Sequence, residues 1–523
     1  MRTRYIFAFM AAIMLTGCGD FLEEQSQDKA YVKTLNDLDE LLLGSVYMPT
    51  GTPASIAYDY LDKPYYYPYV HLMSDELEQN IENVTNSTGL YDVADRFFGY
   101  YTFQQQVGIN PTQTEINEDA SDWNNIYKNI NVANMVITKV SDVELTAEDN
   151  ELKRNRIMGE AYFVRGALYF VLANLYGKPY NPSTANSDLA IPIKTTEYIE
   201  DKIFGRNTVA EVYAQAEKDL QTAESLLANT SRQSYYRANA TACNLMLSRL
   251  YLYKQDFEKA IQYGKKVIDA GDNKLQDLNT VSSDFFLAPN MPEVIFTMGN
   301  GGLRHTVTGN IKDFGVSDFL VNLYEDGDLR TKYYITKNAD TGFQEYVKGG
   351  VPADINRSSL STVFLLRTAE AYLNVAEAAA CINDVTTANN ILNTLRAKRF
   401  DAADYSPVQL SGDELVEFIR NERARELCLE GHRYFDLKRY TVAAVCPSVK
   451  TIRHGYTTFQ SGYVYDPSMG YVYKTYATQT QYYEVATDEN GFTIPIPQEV
   501  IDFNTGMVNN NRPVRNVVET VNY

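Results

Sequence analysis

The sequence predicts a mainly α-helical protein built on tetratricopeptide-like helix pairs, with long loops and a small C-terminal β-hairpin region. Three observations carry this reading. Residues 238–254 and 256–270 read as two helices broken at Lys254-Gln255-Asp256. Residues 360–381 and 385–399 repeat that layout around Asn383-Asp384, and paired helices at a period of about 34 residues mark such repeats. The tail differs: Gly462-Tyr-Val-Tyr465, Asp466-Pro-Ser-Met-Gly470 and Tyr471-Val-Tyr473 read as strand, turn, strand.

The chain opens on Arg2 and Arg4, followed by an apolar run from Tyr5 to Leu15 that ends in Leu15-Thr16-Gly17-Cys18. A basic start and a short hydrophobic stretch make a secretory signal. The run is about half the ~20 residues that crossing a bilayer requires. A Cys straight after Leu-Thr-Gly resembles a bacterial lipoprotein box. Residues 1–17 are therefore expected to be a cleaved signal peptide, and Cys18 the lipidated first residue of the mature protein. Several acyl chains on one residue hold stably, since each buried CH₂ contributes about 0.8 kcal/mol. Residues 18–29 are polar and acidic and read as a tether; residues 30–523 are expected to form one domain.

Within it, residues 30–48 have the leucine spacing of a helix, residues 49–69 are loop-like around a Tyr cluster, and residues 86–120 lack a clean period and read as an exposed excursion. Amphipathic stretches follow at 122–140 and 149–176, the second stopped by Gly177-Lys-Pro179. Asn207 or Thr208 is placed to cap a third helix that runs to Leu227. In the first helix pair Leu247, Leu250, Ala260 and Val267 fit the repeat pattern, and in the second Ala369, Leu373, Ala388 and Leu395 do. One pair cannot bury its apolar face alone, so stacking is expected. Residues 412–430 make a further helix with Ser411 or Asp413 as cap. The Tyr ladder of the tail is expected to pack on the helices, with a ligand platform as the alternative.

Composition narrows the function. A net charge of −20 argues against nucleic acid and against adhesion to an anionic membrane through a basic patch. No segment after the signal is long and apolar enough to span a bilayer. Of five Cys, Cys18 goes to lipid; Cys243, Cys381, Cys428 and Cys446 are widely spaced, form no C-x-x-C, and are expected to stay free thiols. Asp326-Gly-Asp328 with Arg330 falls short of a calcium loop and reads as a turn. No H-E-x-x-H, G-x-S-x-G or phosphate-loop pattern occurs, so no catalytic residue, metal or cofactor is assigned. Glu422, Glu426 and Glu430, spaced i, i+4 and interleaved with Arg420, Arg423 and Arg425, are expected to form local ion pairs rather than an acid–base site.

Six segments stand in order along the chain: Cys18-Gly-Asp-Phe-Leu-Glu23, Trp123-Asn-Asn-Ile-Tyr127, Gly159-Glu-Ala-Tyr-Phe-Val-Arg165 with Leu175-Tyr-Gly177, Leu365-Leu-Arg367 with Ala369-Glu370, Glu422-Arg423 through Glu430-Gly-His-Arg-Tyr-Phe-Asp436, and Ile494-Pro-Ile-Pro-Gln498. Together they resemble the SusD/RagB-like nutrient-binding lipoproteins of the Bacteroidetes outer membrane. The resemblance implies four tetratricopeptide-like pairs, N-terminal helices and ligand loops over 30–230, and a repeat-bearing region over 231–523. It also implies a lipid-anchored, surface-exposed protein of the outer membrane, partnered by a SusC-like TonB-dependent transporter. Such a protein binds an oligosaccharide, or in some relatives a peptide, and hands it on.

Sugars have apolar faces and hydroxyl edges, so a site wants exposed rings with polar groups around them. Two loop regions have that chemistry. One joins Tyr65, Tyr66 and Tyr67 to Phe97, Phe98 and Tyr100; the other holds Asn300, Arg304 and His305. The resemblance puts ligand loops in comparable places. Starch-binding relatives often stack sugar on Trp, yet the only Trp here, Trp123, falls in a structural segment, so stacking must come from Tyr and Phe, or the cargo is a peptide. The alternative of another class is a surface glycoside hydrolase, whose carboxylate pair is set by space and not by spacing in sequence.

Overall fold

The structure is a computed structural model that describes residues 32–49, 66, 67, 69–81, 92–116, 121–147, 149–198, 200–281, 286–288, 291–299, 303, 314–337, 344–349 and 360–523. Cys18, Tyr65, Asn300, Arg304 and His305 lie outside the described residues.

Helix α1 (Leu35–Leu41) starts at Thr34, whose hydroxyl accepts from the Asp37 N–H while the Asp37 carboxylate accepts from the Thr34 N–H. Helices α2 (Ser121–Lys139), α3 (Glu151–Tyr176) and α4 (Val209–Leu227) follow where the period places them. Thr208 caps α4 with the same reciprocal box, closed by Glu211.

The two helix pairs read from the sequence are α5 (Ala240–Lys254) with α6 (Phe257–Ala270), and α7 (Thr368–Cys381) with α8 (Val385–Arg396). Matching turns join them. Gln255 and Asn383 both take left-handed backbone, at φ 64° and 62°. The next N–H groups, on Asp256 and Asp384, donate to the carbonyls of Tyr251 and Ala379 at 3.0 and 2.8 Å. Those same two Asp side chains then cap α6 and α8, accepting from Lys259 and Thr387. The repeated layout in sequence is thus a repeated turn in space.

The helices stack in series: α3 on α4, α4 on α5, α5 on α6, α6 on α7, and α7 on both α8 and α9 (Gly412–Glu426). A short α10 (Arg433–Tyr440) follows α9. The closest step in the stack is at Gly264. A Cβ there would lie 2.5 Å from Val375 Cγ2 on α7 and 3.0 Å from Ser248 Oγ on α5.

Strands β1 (Leu77–Gln79), β2 (Val294–Thr297), β3 (Phe314–Val316), β4 (Ile335–Lys337), β5 (Gln344–Tyr346) and β6 (Leu365–Arg367) form three antiparallel pairs, β1–β3, β2–β6 and β4–β5. The expected helix over 360–381 therefore begins later, because Leu365–Arg367 is spent on a buried pairing with Val294–Thr297.

The tail hairpin is longer than its sequence pattern suggests. Strands β7 (Thr451–Asp466) and β8 (Gly470–Ala486) pair along their length, and β9 (Glu519–Asn522) adds to β8 only at Gln479–Tyr482. The inner half packs as expected. Ile452, Tyr456, Tyr483 and Val485 are buried, Tyr456 meets Phe98 edge-on at 4.8 Å, and His454 stacks between Tyr101 and Phe103. The outer half does not pack on helices: Tyr463, Tyr465, Tyr471 and Tyr473 are all exposed.

The largest buried cluster draws on residues from Leu35 through Trp123, Leu168, Leu250 and Ile494 to Met507. The expected exposed excursion over 86–120 holds only in part: residues 98–104 and 107–109 are buried, Phe98, Tyr101 and Phe103 among them, while 112–115 are exposed. Cys243, Cys381, Cys428 and Cys446 carry free thiols. No described helix is long and apolar enough to cross a membrane.

Exchanging Gly for Ala inside a helix ordinarily stabilises by about 1 kcal/mol. Gly264→Ala is predicted to do the opposite and lower stability by about 1–3 kcal/mol, because its methyl overpacks against Val375. A thermal melt of the variant against the native chain checks the sign.

Candidate functional site

The chemistry-bearing residues divide into a buried charged knot and a second buried junction, the mouth, whose residues adjoin the candidate ligand segments in sequence. The knot is built on the C-terminal turn of α9. Glu426 accepts from Arg367 at 2.6 Å, from both edges of Arg399 at 2.9 Å, from Arg330 at 3.1 Å and from the Tyr334 hydroxyl at 3.1 Å. Glu422 pairs with Arg330, Arg396 and Arg425, each at 2.7 Å. Glu430 pairs with Arg367 and Lys348, Glu293 with Arg367 and Arg399, and Asp328 with Arg330. Five carboxylates (Glu293, Asp328, Glu422, Glu426, Glu430) thus face five cations (Arg330, Lys348, Arg367, Arg396, Arg399), all with side chains at most 2% exposed. The expected local pairing accounts for Arg425 with Glu422, but most partners come from distant stretches of chain.

Burial alone pushes the Glu426 carboxyl up, but the Arg399 and Arg367 guanidiniums outweigh it and hold the group well below the usual carboxylate range. Burial raises Glu422 as well, and Arg330, Arg425 and Arg396 reverse it. Groups held so firmly ionised do not exchange protons near neutral pH. His432 is no base either: burial first, then Arg249 and Arg423, hold its imidazole well below the ordinary value. Gly431 sits at φ +77°, with the Val363 Cα 3.1 Å from where a Cβ would stand, and turns the chain into α10. There Arg433 clamps Asp75 at 2.6 Å, and Asp436 takes Arg423 and Arg439 at 2.8 Å each. Asp328 and Arg330, the rejected calcium loop, are a turn in this same knot. Among the described residues no group of three or more His, Cys, Asp or Glu is placed to hold a metal.

The aromatic candidates fare differently from expectation. Tyr66, Tyr67, Phe98 and Tyr100 are 4%, 0%, 3% and 4% exposed, so these four offer no open ring face to a ligand. Their hydroxyls and backbone are satisfied inside. Tyr66 donates to Asn129 Oδ1 at 3.0 Å. Tyr67 takes left-handed backbone at φ 34°, donates its N–H to Asp122 at 2.9 Å and its hydroxyl to the Val363 carbonyl at 3.4 Å. Tyr100 stacks on Tyr69 with ring centroids 4.1 Å apart. Phe97 is half-buried and packs against the core. Trp123 is buried beside Tyr127 and Tyr176.

The anchored rings nevertheless fix where the remaining candidates begin. Asn129, bonded to Tyr66, also donates to the carbonyls of Ser45, Val46 and Tyr47. The next residue, Met48, accepts from the Gly299 N–H at 3.2 Å. Ser361 donates its N–H to Thr297 Oγ1 at 3.0 Å. Tyr66, Met48, Gly299 and Ser361 therefore share one neighbourhood. From it the chain leads to Tyr65 on one side and to Asn300, Arg304 and His305 on the other. Sequence spacing gives no hint of this meeting, because it is made by one Asn side chain and a strand end.

Residues 68–252 match the family described as "starch-binding associating with outer membrane", and residues 305–513 match the SusD family. A SusD-like protein of Formosa agariphila is 25% identical over 374 residues, 61% of this chain and 70% of its own length. The crystal structure of a SusD superfamily protein from Bacteroides thetaiotaomicron superposes with a TM-score of 0.67 at 22% identity, covering 92% of this chain and 100% of that one. A surface glycan-binding protein A from Bacteroides fluxus superposes at 0.58 with 18% identity, over 91% of this chain and 97% of that one. The chain belongs to the SusD/RagB family.

One carboxyl beside the knot is poised the other way. Glu76 is 1% exposed, its carboxylate accepts from the Leu429 N–H at 2.9 Å, and burial pushes it up to about 8 from 4.5. A carboxyl raised in the fold stabilises fully below its unfolded value and loses that contribution as pH climbs through the folded one. Native stability is therefore predicted to fall between about pH 4.5 and 8 relative to Glu76→Gln, which stays neutral. Melting both proteins at pH 4.5 and 8.5 checks it: matched at the first, the variant higher at the second.

Proposed function

We propose that this chain is a non-catalytic glycan-binding lipoprotein of the outer membrane, anchored through Cys18 and exposed at the surface. It captures oligosaccharides and delivers them to a SusC-like TonB-dependent transporter. The observation that carries this reading is the pair of family matches in sequence order, one of them described as starch-binding and outer-membrane-associating. The solved relatives add weight, since one of that fold is itself a surface glycan-binding protein. The site itself is proposed at the mouth bounded by Met48, Tyr66 and Gly299, with Tyr65, Asn300, Arg304 and His305 as contacts. The residues there have the chemistry a sugar needs: a ring for its apolar face, and amide, guanidinium and imidazole for its hydroxyls. The buried knot supports a binding rather than a hydrolytic role, because its carboxylates are all consumed by cations.

Calorimetric titration of the whole chain against a glycan panel, with a peptide pool beside it, tests the reading. Micromolar or tighter binding to at least one oligosaccharide is expected. Tyr65→Ala combined with Arg304→Ala is predicted to weaken it at least tenfold with an unchanged melt. Binding to peptides alone would contradict the glycan assignment. For the anchor, Cys18→Ala is predicted to move the protein from the membrane to the soluble fraction; retention in the membrane would count against lipidation.

A further inference from the structure

The outer half of the β7–β8 hairpin is an arm whose tip carries exposed side chains. It begins beyond the bulge at Thr458/Phe459 and beyond the reach of β9. From residue 459 to the turn it runs eight residues, about 25 Å at strand rise. A Cβ added at Gly462 or Gly470 would meet nothing within 4 Å, so no other described residue covers the arm there. Its root is firmly held: His454 is buried between two aromatic rings, with its nitrogens 2.7 and 3.0 Å from the Tyr101 and Ser74 carbonyls.

Four tyrosines share one face of this arm. Tyr463 pairs across the strands with Tyr473, and Tyr465 with Tyr471. Strand alternation sends all four to the same side. They are 74%, 59%, 63% and 74% exposed in that order. The rings meet edge-on in two dyads, at 5.3 and 5.5 Å, so each dyad is already ordered before any ligand arrives. Four open rings together are far more than the scattered apolar residues an ordinary surface shows.

The chemistry of that face is specific. In a chain of net charge −20, the only charged side chains between residues 459 and 477 are Asp466 and Lys474. They lie on the opposite face and 3.5 Å from each other. The tyrosine face itself holds rings, phenol hydroxyls and, just below, the Ser461–Thr475 hydroxyl pair at 2.9 Å. The aliphatic residues Val464 and Val472 alternate onto the other side. Protein interfaces add Met and Arg to their aromatic residues, and the face formed by these four tyrosines holds neither. Rings edged with hydroxyls and free of charge match an uncharged sugar chain.

We propose that the tyrosine face of the β7–β8 arm is a second glycan-binding surface, which takes an uncharged polysaccharide. This rests on the glycan-capture reading above and extends it. The arm holds a long chain against the body while the mouth takes its end or a loop of it, and two linked contacts raise the effective affinity for long chains.

The test uses the whole lipid-free mature chain in three forms, the native one and two variants. In one, Tyr463→Thr and Tyr471→Thr remove a ring from each dyad while keeping a strand-forming residue. In another, Val464→Thr and Val472→Thr alter the opposite face. Affinity gel electrophoresis runs all three against neutral polysaccharides (starch, a β-glucan, a galactomannan) and an anionic pectin. The tyrosine variant is expected to lose at least tenfold in affinity for the neutral chain the native protein binds, and the valine variant less than twofold. A native protein that binds a neutral polysaccharide, with a tyrosine variant within twofold of it, overturns the arm and leaves the capture reading standing. Equal losses in both variants also overturn it, since hairpin integrity and not the ring face is then what matters. So does a dimer in sedimentation that the tyrosine variant dissolves, which would make a second copy the occupant. A native protein that binds no glycan overturns the arm and the capture reading together.

Discussion

The buried knot around Glu426 is the constraint on which the rest of the structure depends. Its members come from β2, the turn at Asp328, Lys348, β6, α8 and α9. Charges taken out of water cost several kcal/mol each unless they are closely paired and hydrogen-bonded. Here each carboxylate has at least one cation, and most have two or three. Only the fully assembled fold brings the partners together. Loss of one partner would strand a buried charge, at about 3–5 kcal/mol. The knot is thus weak as a source of net stability but strong as a condition on arrangement. It fixes the last repeat against the strands that lead to the mouth: β6 carries Arg367, and the paired β2 ends beside Gly299.

Much of the fold was legible in the sequence because helices announce themselves by period and caps. Thr208, Asp256 and Asp384 are readable caps, and the two Lys-Gln-Asp and Asn-Asp breaks correspond to one turn geometry. The role of the Glu422–Asp436 segment was half legible. Spacing along a helix reveals i, i+3 and i+4 neighbours such as Arg425 and Glu422, but it is blind to Arg330, Arg367 and Arg399 arriving from elsewhere. The helix over 360–381 was overcalled by eight residues at its start for the same reason, since a strand partner outside the window claimed Leu365–Arg367.

The candidate site was less legible, and the cause is tyrosine itself. A ring with a polar tip is at home in water, and equally at home inside once its hydroxyl finds a partner. Tyr66 found Asn129 and Tyr67 found Val363, so a cluster that reads as a platform became core. The hairpin went the other way. Its alternating Tyr reads as a packed ladder, yet only its root reaches the helices. What distinguishes the two is how far the arm runs beyond its buried root, a quantity no local pattern encodes. The molecule that emerges has a charge-locked body and a neutral aromatic arm, and the proposed reading gives the first the task of holding shape and the second that of meeting ligand.

Hydrogen–deuterium exchange on the whole chain, with and without a saturating neutral polysaccharide, addresses that division directly. The account predicts slowed exchange in peptides spanning 459–477 and in those flanking Tyr66 and Gly299, with the already slow α9 peptides unchanged. Protection confined to the Glu422–Asp436 segment, with the arm and the mouth indifferent to glycan, would contradict it.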